Sequence, residues 1–352
     1  MKVTQLMVNK GFGGAERYFV DLSLALQDAG HTVQAICHKD FQQRSMLQGH
    51  PRIEVAPIRV LGWWDPLAVK AIRLLTGRFQ PDVIQAHLAR GARLAGKAAR
   101  ALGIPLIVKT HNYVDLKYYK DVSVFVPTTE DQRDYLLQQG VPPARVCVIP
   151  NFSSLAPAEQ PRPLSPGVLT YVSYGRIVAK KGFDLLLRAF RELLKAGVNA
   201  RLIIAGDGPE REALTLLAQR LQLGDAVRVC GWSNDVASLL ASGDIFVLPS
   251  RDEPFGIAVL EAMASQIPVV ATRTRGPLEV LNDELAFLAE VDDVTSLTKA
   301  MMQAASDPTL RRRKAALALQ RYQARYSREA VVPQIIDLYK RVIGANLSNS
   351  TR

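Results

Sequence analysis

The chain has 352 residues, 48% of them apolar, and 44 Lys and Arg against 33 Asp and Glu give a formal net charge of +11. That length exceeds one ordinary domain and suits two, each with a full core. No run approaches the ~18 consecutive apolar residues of a spanning helix, and the short alternating start lacks the apolar stretch of a signal peptide, so a cytoplasmic protein is expected.

Met1–Val8 reads as a first strand, followed by the glycine turn Gly11-Phe12-Gly13-Gly14-Ala15-Glu16. Ala15, Tyr18, Phe19, Leu22, Leu26 and Ala29 then share one helical face, and Gly30 caps the end. Strands are expected near 33–37, 83–85, 106–109, 122–126 and 146–149, with helices such as 67–75 and 92–102 between them. Five prolines in 150–167 break the alternation and mark a linker. A second series places strands near 169–173, 201–205, 227–229, 245–248, 269–271 and 286–288, and the chain ends in helices near 310–324 and 329–343. Alternating strands and helices imply parallel sheets covered on both faces. The expected organisation is α/β: a domain over 1–150, a Pro-rich linker over 151–167, and a second domain over 168–325. A C-terminal helix and frayed tail over 326–352 should pack back toward the first domain. Cys37, Cys147 and Cys230 are far apart and flanked by Val, Ile or Gly, which suggests buried strand thiols in a reducing compartment and no metal site.

Two doubly wound sheets facing a cleft bind ligands at the carboxyl ends of their strands, so the loops after strands carry the chemistry. The most informative is Ile245–Ala264, where an apolar strand runs into Pro-Ser-Arg-Asp-Glu-Pro-Phe-Gly and then a helix. Glu253 precedes that helix and Glu261 lies inside it. A helix N-terminus offers free amides to phosphate, and a nearby carboxylate accepts hydrogen bonds from sugar hydroxyls. A helix cap is the plain structural account of Glu253. Arg176 and Lys181 follow the first strand of the second series, in a position to neutralise a diphosphate or to form a solvated basic loop. Gly13 and Gly14 allow close backbone approach to a phosphate; the alternative is a tight turn with Glu16 complementing the helix dipole. His111 and His87 each follow a strand, as substrate contacts or as structural histidines. Trp232, after the strand near 227–229, either flanks a base or is an ordinary tryptophan.

Together these segments resemble the retaining GT-B glycosyltransferases of the large family-4 group. The likeness rests on Gly13–Glu16, Gly175–Gly182, Gly206-Asp207-Gly208-Pro209, Glu253–Ala264, Ile149-Pro150-Asn151 and Gly276–Val280, and spans nearly the whole chain. Two departures stand out: Asn151-Phe152-Ser153-Ser154 replaces the usual Asn-Gly-Val-Asp, and Arg275-Gly276 replaces a Gly-Gly. The resemblance implies a GT-B fold and a metal-independent hexosyltransferase using a nucleotide-diphosphate sugar as donor substrate, with no cofactor. By the same resemblance Glu253 binds the donor sugar, Glu261 the ribose, and Arg176 and Lys181 the departing diphosphate. Phe255, Gly256 and Ile257 supply amides, Gly13 and Gly14 face the diphosphate or acceptor, and His111 lies by the reacting carbon or the 6-hydroxyl. No metal ligands are implied.

The charge excess concentrates in residues 1–150, with 19 Lys and Arg against 12 Asp and Glu. Lys70, Arg73, Arg78, Arg90, Arg93, Lys97 and Arg100 fall on or near two successive helices, and Trp63 and Trp64 precede the first. That pattern fits either solvated helix charge or a peripheral contact with an anionic inner leaflet, where a glycan or lipid-linked acceptor of bacterial lipopolysaccharide or polysaccharide synthesis would lie. Alternatives are a GT-B sugar-nucleotide epimerase or hydrolase, a basic nucleic-acid-binding protein and a non-catalytic nucleotide-binding protein. The chain lacks the aromatic-interleaved basic stretch of single-strand binders, so no nucleic-acid partner is expected.

Overall fold

A computed structural model of the chain describes residues 1–11, 13–160, 167–233 and 235–350. They divide into two compact units, one of Met1–Phe152 with Arg328–Arg352 and one of Ser153–Ser327. Phe12 of the glycine turn and residues 161–166 of the expected linker lie outside the described residues.

The first unit runs β1 (Lys2–Met7), α1 (Gly14–Asp28), β2 (Thr32–His38), β3 (Ile53–Ile58), α2 (Pro66–Phe79), β4 (Val83–His87), α3 (Leu88–Leu102), β5 (Leu106–Lys109), β6 (Val124–Val126) and α4 (Glu130–Gln138). The second runs β7 (Leu169–Tyr174), α5 (Phe183–Lys195), β8 (Ala200–Ala205), α6 (Arg211–Arg220), β9 (Val227–Cys230), α7 (Val236–Ala241), β10 (Ile245–Leu248), α8 (Ile257–Ala264), β11 (Val269–Thr272), α9 (Arg275–Val280), β12 (Phe287–Ala289), α10 (Val294–Ser306) and α11 (Pro308–Arg325). The last helix, α12 (Arg328–Ser350), returns to the first unit.

Both sheets are parallel and share one strand order. It is β3-β2-β1-β4-β5-β6 in the first unit, and β12-β11-β10-β7-β8-β9, the same order read from the other edge, in the second. This is the doubly wound arrangement, with order reversing beside the first strand of each unit. Apolar clusters cover both faces of each sheet, so central strands such as β10 are continuous apolar runs buried at every position.

Two strand expectations need correction. β3 is absent from the sequence reading because its Ile-Glu-Val-Ala-Pro-Ile run contains Pro57. The strand lies at the sheet edge, where a residue without an N–H is tolerated. Conversely, 146–149 is not a strand. Cys147 and Ile149 donate to Phe125 O and Pro127 O, but Pro127 has no amide to return a bond, and only the bridge Phe125–Val146 forms. Cys147 is therefore a half-buried loop thiol, and of the three cysteines only Cys37, on β2, is fully buried.

In the second unit, glycines let the loops after β7, β10 and β11 touch. Gly182 has φ +65°, and any Cβ there would run into Pro249 O at the end of β10. Gly276 leaves no room for a Cβ against the backbone of Glu253, Pro254 and Phe255, and its amide donates to Glu253 O at 3.1 Å. Arg251 ties the same loops together: its guanidinium takes Asp184 by two parallel bonds of 2.7 and 2.8 Å, and its amide donates to Lys180 O at 2.8 Å.

Gly182→Ala should therefore cost about 2–4 kcal/mol, combining left-handed strain with a backbone clash. Gly49→Ala, at φ +80° in open space, should cost only about 1 kcal/mol. Equal losses in thermal or denaturant melts would show that the Pro249 contact is not what requires Gly182.

Candidate functional site

Within the second unit, β10 ends at the topological switch beside β7, and the loop after it enters α8. Gly256 caps α8 with φ +90°, a turn that points the first amides of the helix out of its own hydrogen-bond ladder. Glu253 sits just before this turn, 8% exposed. Its Oε2 is ion-paired with Lys181 Nζ, and Ser250 Oγ lies 3.4 Å away. The contact brings together two sequence-expected residues 72 positions apart. Arg176 lies on the same loop as Lys181, exposed and without an ion-pair partner among the described residues.

Glu261, one turn into α8, is buried and accepts from Tyr174 Oη at 2.6 Å. Tyr174 closes β7, so the hydroxyl that holds Glu261 comes from the neighbouring strand end. Phe255 is buried with its ring against Tyr326. Ile257 is the first residue of α8, beside Gly256. Trp232, after β9, is half-exposed.

Within the first unit, Gly13 is the N-cap of α1 and Gly14 its first residue. Glu16, in the first turn, accepts from Asn9 Nδ2 at 3.0 Å. One turn on, Tyr18 packs edge-on against His111 at 5.3 Å and against Phe152 at 5.5 Å. The departure Phe152 thus fills the space behind Tyr18, and it is fully buried.

His111 follows β5 with φ +62°, a strained conformation for a residue with a Cβ. It ends a buried chain of hydrogen bonds. Tyr339 Oη, from α12, donates to Gln85 Oε1 at 2.6 Å and accepts from Gln5 Nε2 at 2.9 Å. The Gln5 amide is thereby oriented with Oε1 toward His87 Nε2, 2.9 Å away. A carbonyl oxygen only accepts, so His87 carries its proton on Nε2 and its Nδ1 accepts from His111 Nε2 at 3.0 Å. Neutral His111 is left with its lone pair on Nδ1. Burial, with help from the Lys109 charge, pushes His87 down to about 3. Burial also holds His111 well below the ordinary histidine value, reinforced by His87 and Lys109. Lys109, on β5 beneath them, is itself lowered by burial to about 7 and donates to Ile149 O.

His87 is fully buried and positions His111 from behind. Gln5, Gln85, Tyr339, Tyr174 and Lys109 were not singled out from sequence. The signal for the two glutamines was present: each is a polar residue inside an apolar central strand, and such a group is buried only with partners. The described residues contain no group of three or more His, Cys, Asp or Glu side chains able to hold a metal ion. No helix among them is long and apolar enough to cross a membrane.

Comparison with known proteins gives two family matches, Glycosyltransferase Family 4 over residues 12–156 and Glycosyl transferases group 1 over residues 158–320. The lipopolysaccharide core biosynthesis glycosyltransferase LpsD of Rhizobium meliloti (strain 1021) is 32% identical over 336 residues, covering 94% of this chain and 95% of the relative. LpsE of the same organism is 31% identical over 346 residues, covering 96% and 98%. Among solved structures, Anabaena HepE in complex with UDP and glucose superposes with a TM-score of 0.82 at 20% identity, over 97% of this chain and 100% of that one.

The histidine chain has a direct test. Tyr339→Phe removes one hydroxyl and keeps the ring, so the loss of stability should be about 1–2 kcal/mol. The Gln5 amide becomes free to turn, and nitrogen-15 imidazole spectra should change from one tautomer at His87 and His111 to a mixture. Because both folded pKa values are lowered, both rings should stay neutral in the wild type from pH 9 down past 6. A histidine limb between pH 6 and 7 in the wild-type spectra, or unchanged tautomers in the variant, would count against the chain.

Proposed function

The chain belongs to the family-4 glycosyltransferases with the two-domain GT-B fold, and from that premise we propose that it moves a hexose from a UDP-sugar to a lipid-linked glycan acceptor with retention of anomeric configuration. The observation that carries this reading is the buried Glu253 paired with Lys181 at the N-terminus of α8. In the empty pair the two charges neutralise each other. With donor bound, Lys181 and Arg176 turn to the diphosphate, joined by the amides of Phe255, Gly256 and Ile257. Glu253 is released to accept from the sugar hydroxyls, and Glu261, steadied by Tyr174, accepts from the ribose. The bond from the anomeric carbon to the phosphate oxygen breaks as the bond to the acceptor oxygen forms on the same face. The acceptor proton passes to the departing diphosphate. Gly13 and Gly14 present the α1 N-terminus to the diphosphate or acceptor, and His111 contributes a neutral imidazole, as a hydrogen-bonding partner rather than a proton donor. The reaction proceeds without a metal ion, since fixed cations and amides meet the developing charge.

The lipopolysaccharide relatives support a saccharide acceptor of that kind, and the first unit supports its presentation at an anionic inner leaflet. Leu61 and Leu67 are 72% and 71% exposed, beside Lys70 and Arg73 on α2. Exposed apolar side chains with flanking cations are the composition of an interfacial contact, at about 1 kcal/mol per basic residue near the surface.

Two measurements test these readings. With a panel of UDP-, GDP-, ADP- and dTDP-sugars, UDP-sugar should be turned over and should survive excess EDTA. Glu253→Ala should lower kcat/KM by roughly 2–4 kcal/mol. Full activity in that variant, or EDTA inactivation reversed by Mn2+ or Mg2+, sinks the corresponding part. Separately, the protein should sediment with phosphatidylglycerol vesicles and not with phosphatidylcholine vesicles, and Leu67→Asp should abolish this. Equal pelleting of the variant would assign the contact elsewhere.

A further inference from the structure

The first unit contains a pocket of about 530 Å3 that no part of the donor chemistry uses. Its volume falls in the ~300–1,000 Å3 range of small-molecule sites. Trp63 and Trp64 line it from the segment after β3, Arg93 and Lys97 from α3 after β4, and Tyr118 and Lys120 from the segment after β5. All three segments leave the carboxyl edge of the sheet, the edge from which His111 also emerges.

The lining has two kinds of surface. One is aromatic: the Trp63 and Tyr118 rings lie 4.6 Å apart and tilted by 32°, and Trp64 adds a third face. The other is cationic. Arg93 stacks its guanidinium 3.3 Å over Trp64, and Lys97 Nζ lies 6.0 Å from the same ring. The lining also holds one carboxylate, Asp121, which pairs with Arg100 at 3.4 Å, and a further cation, Lys117, which pairs with Asp115 outside the pocket. Arg93, Lys97 and Lys120 have no carboxylate partner among the described residues, and the half-buried Arg93 finds no acceptor there for any of its five donors. Stacking fixes the plane of that guanidinium while leaving its N–H edges available, which is a preorganised anion contact.

We propose that this pocket binds an anionic saccharide, with the sugar ring stacked on the tryptophans and its phosphate or carboxylate held by Arg93, Lys97 and Lys120. A neutral sugar would leave the cations unanswered. A bare anion would leave the aromatic faces unused, and a hydrocarbon chain would strip the cations of water without return. A pyranose offers C–H groups on one face for the rings and hydroxyls at its edge for the lysines, and one acidic substituent matches the charge. As a subsite for the acceptor, the assignment rests on the glycosyl-transfer reading; as a binding site it does not.

The test is done on the whole protein without donor, so it stands apart from turnover. The chain has three tryptophans, and Trp232→Phe leaves Trp63 and Trp64 as the only reporters. Glucose 6-phosphate and glucuronate should shift their emission saturably, at concentrations at least tenfold below those needed for glucose or inorganic phosphate. Raising the salt should weaken the response. Arg93→Gln with Lys97→Gln should weaken it at least tenfold with an unchanged melting temperature, and Trp64→Ala should weaken it at unchanged salt dependence. Inorganic phosphate binding as tightly as the sugar phosphate would reduce the pocket to a simple anion site and overturn the proposal. So would a response to phosphatidylglycerol vesicles with none to the soluble sugars, which would assign the rings to the lipid surface. Absence of any saturable shift overturns it outright.

Discussion

Lys181 meets Glu253 because Gly182 has no side chain. The 175–182 loop reaches the end of β10 only if the residue at 182 adopts φ +65° and presents no Cβ to Pro249 O. Once that contact is made, Arg251 locks it by pairing with Asp184 and by taking Lys180 O at its amide. Gly276 then closes the other side beneath Glu253 and Phe255. The ion pair follows from this frame, since the packing at Gly182 and Gly276 and the Arg251 bonds place both side chains. A carboxylate held by backbone packing keeps its place when the lysine turns to a ligand. On the proposed reading, that independence lets both groups exchange each other for substrate without the loop collapsing.

The first unit holds its polar groups differently. There the fixing element is a chain of alternating donors and acceptors, and its direction is set at one end by Tyr339. Each link constrains the next, so a phenol on the last helix decides which nitrogen of His111 carries the proton. The chain is buried, and burial makes both histidines neutral at physiological pH and brings Lys109 to the edge of neutrality. A neutral imidazole of fixed tautomer does not switch with small changes in pH. It offers the same lone pair throughout, at the expense of desolvating a lysine and straining the backbone at His111.

The doubly wound architecture was readable because parallel strands buried on both faces are continuous apolar runs, and because prolines and glycines punctuate the loops. The failures have a common source in proline. Pro57 hid an edge strand, and Pro127, on the partner segment, prevented the strand expected at 146–149 from forming a ladder. Local sequence reports what a segment can do and is silent about what its neighbour can return. The candidate site divides in the same way. Glu253, Lys181 and Glu261 stood out as candidates because charged residues in a loop after a buried strand, or in the helix that follows, are where such folds meet ligands, and the structure brings Glu253 and Lys181 together. Tyr174 and Tyr339 did not, because a tyrosine that ends a strand or studs a helix is indistinguishable by sequence from ordinary core. Leu61, Leu67 and Leu74 were not singled out from sequence either, and the structure exposes them.

The net charge of +11 is a poor guide until it is divided by what each cation does. Lys109 and Arg145 in the first unit, and Arg311 and Lys314 in the second, donate to backbone carbonyls and act as internal braces. Arg251 and Arg273 are spent on carboxylates. Removing such residues from the count leaves a smaller set whose location carries the information. Arg93, Lys97 and Lys120 gather around exposed tryptophans, Lys70 and Arg73 lie beside exposed leucines, and Arg176 stands on the loop that also holds Lys181. On the proposed reading each of these groups of cations meets a different anion: a diphosphate, an acidic sugar, a phospholipid. A nucleic acid would instead call for a continuous stripe that follows a phosphate backbone. Separate clusters, each with its own apolar neighbours, fit the proposed reading, in which discrete anionic small molecules and a charged surface meet on one protein.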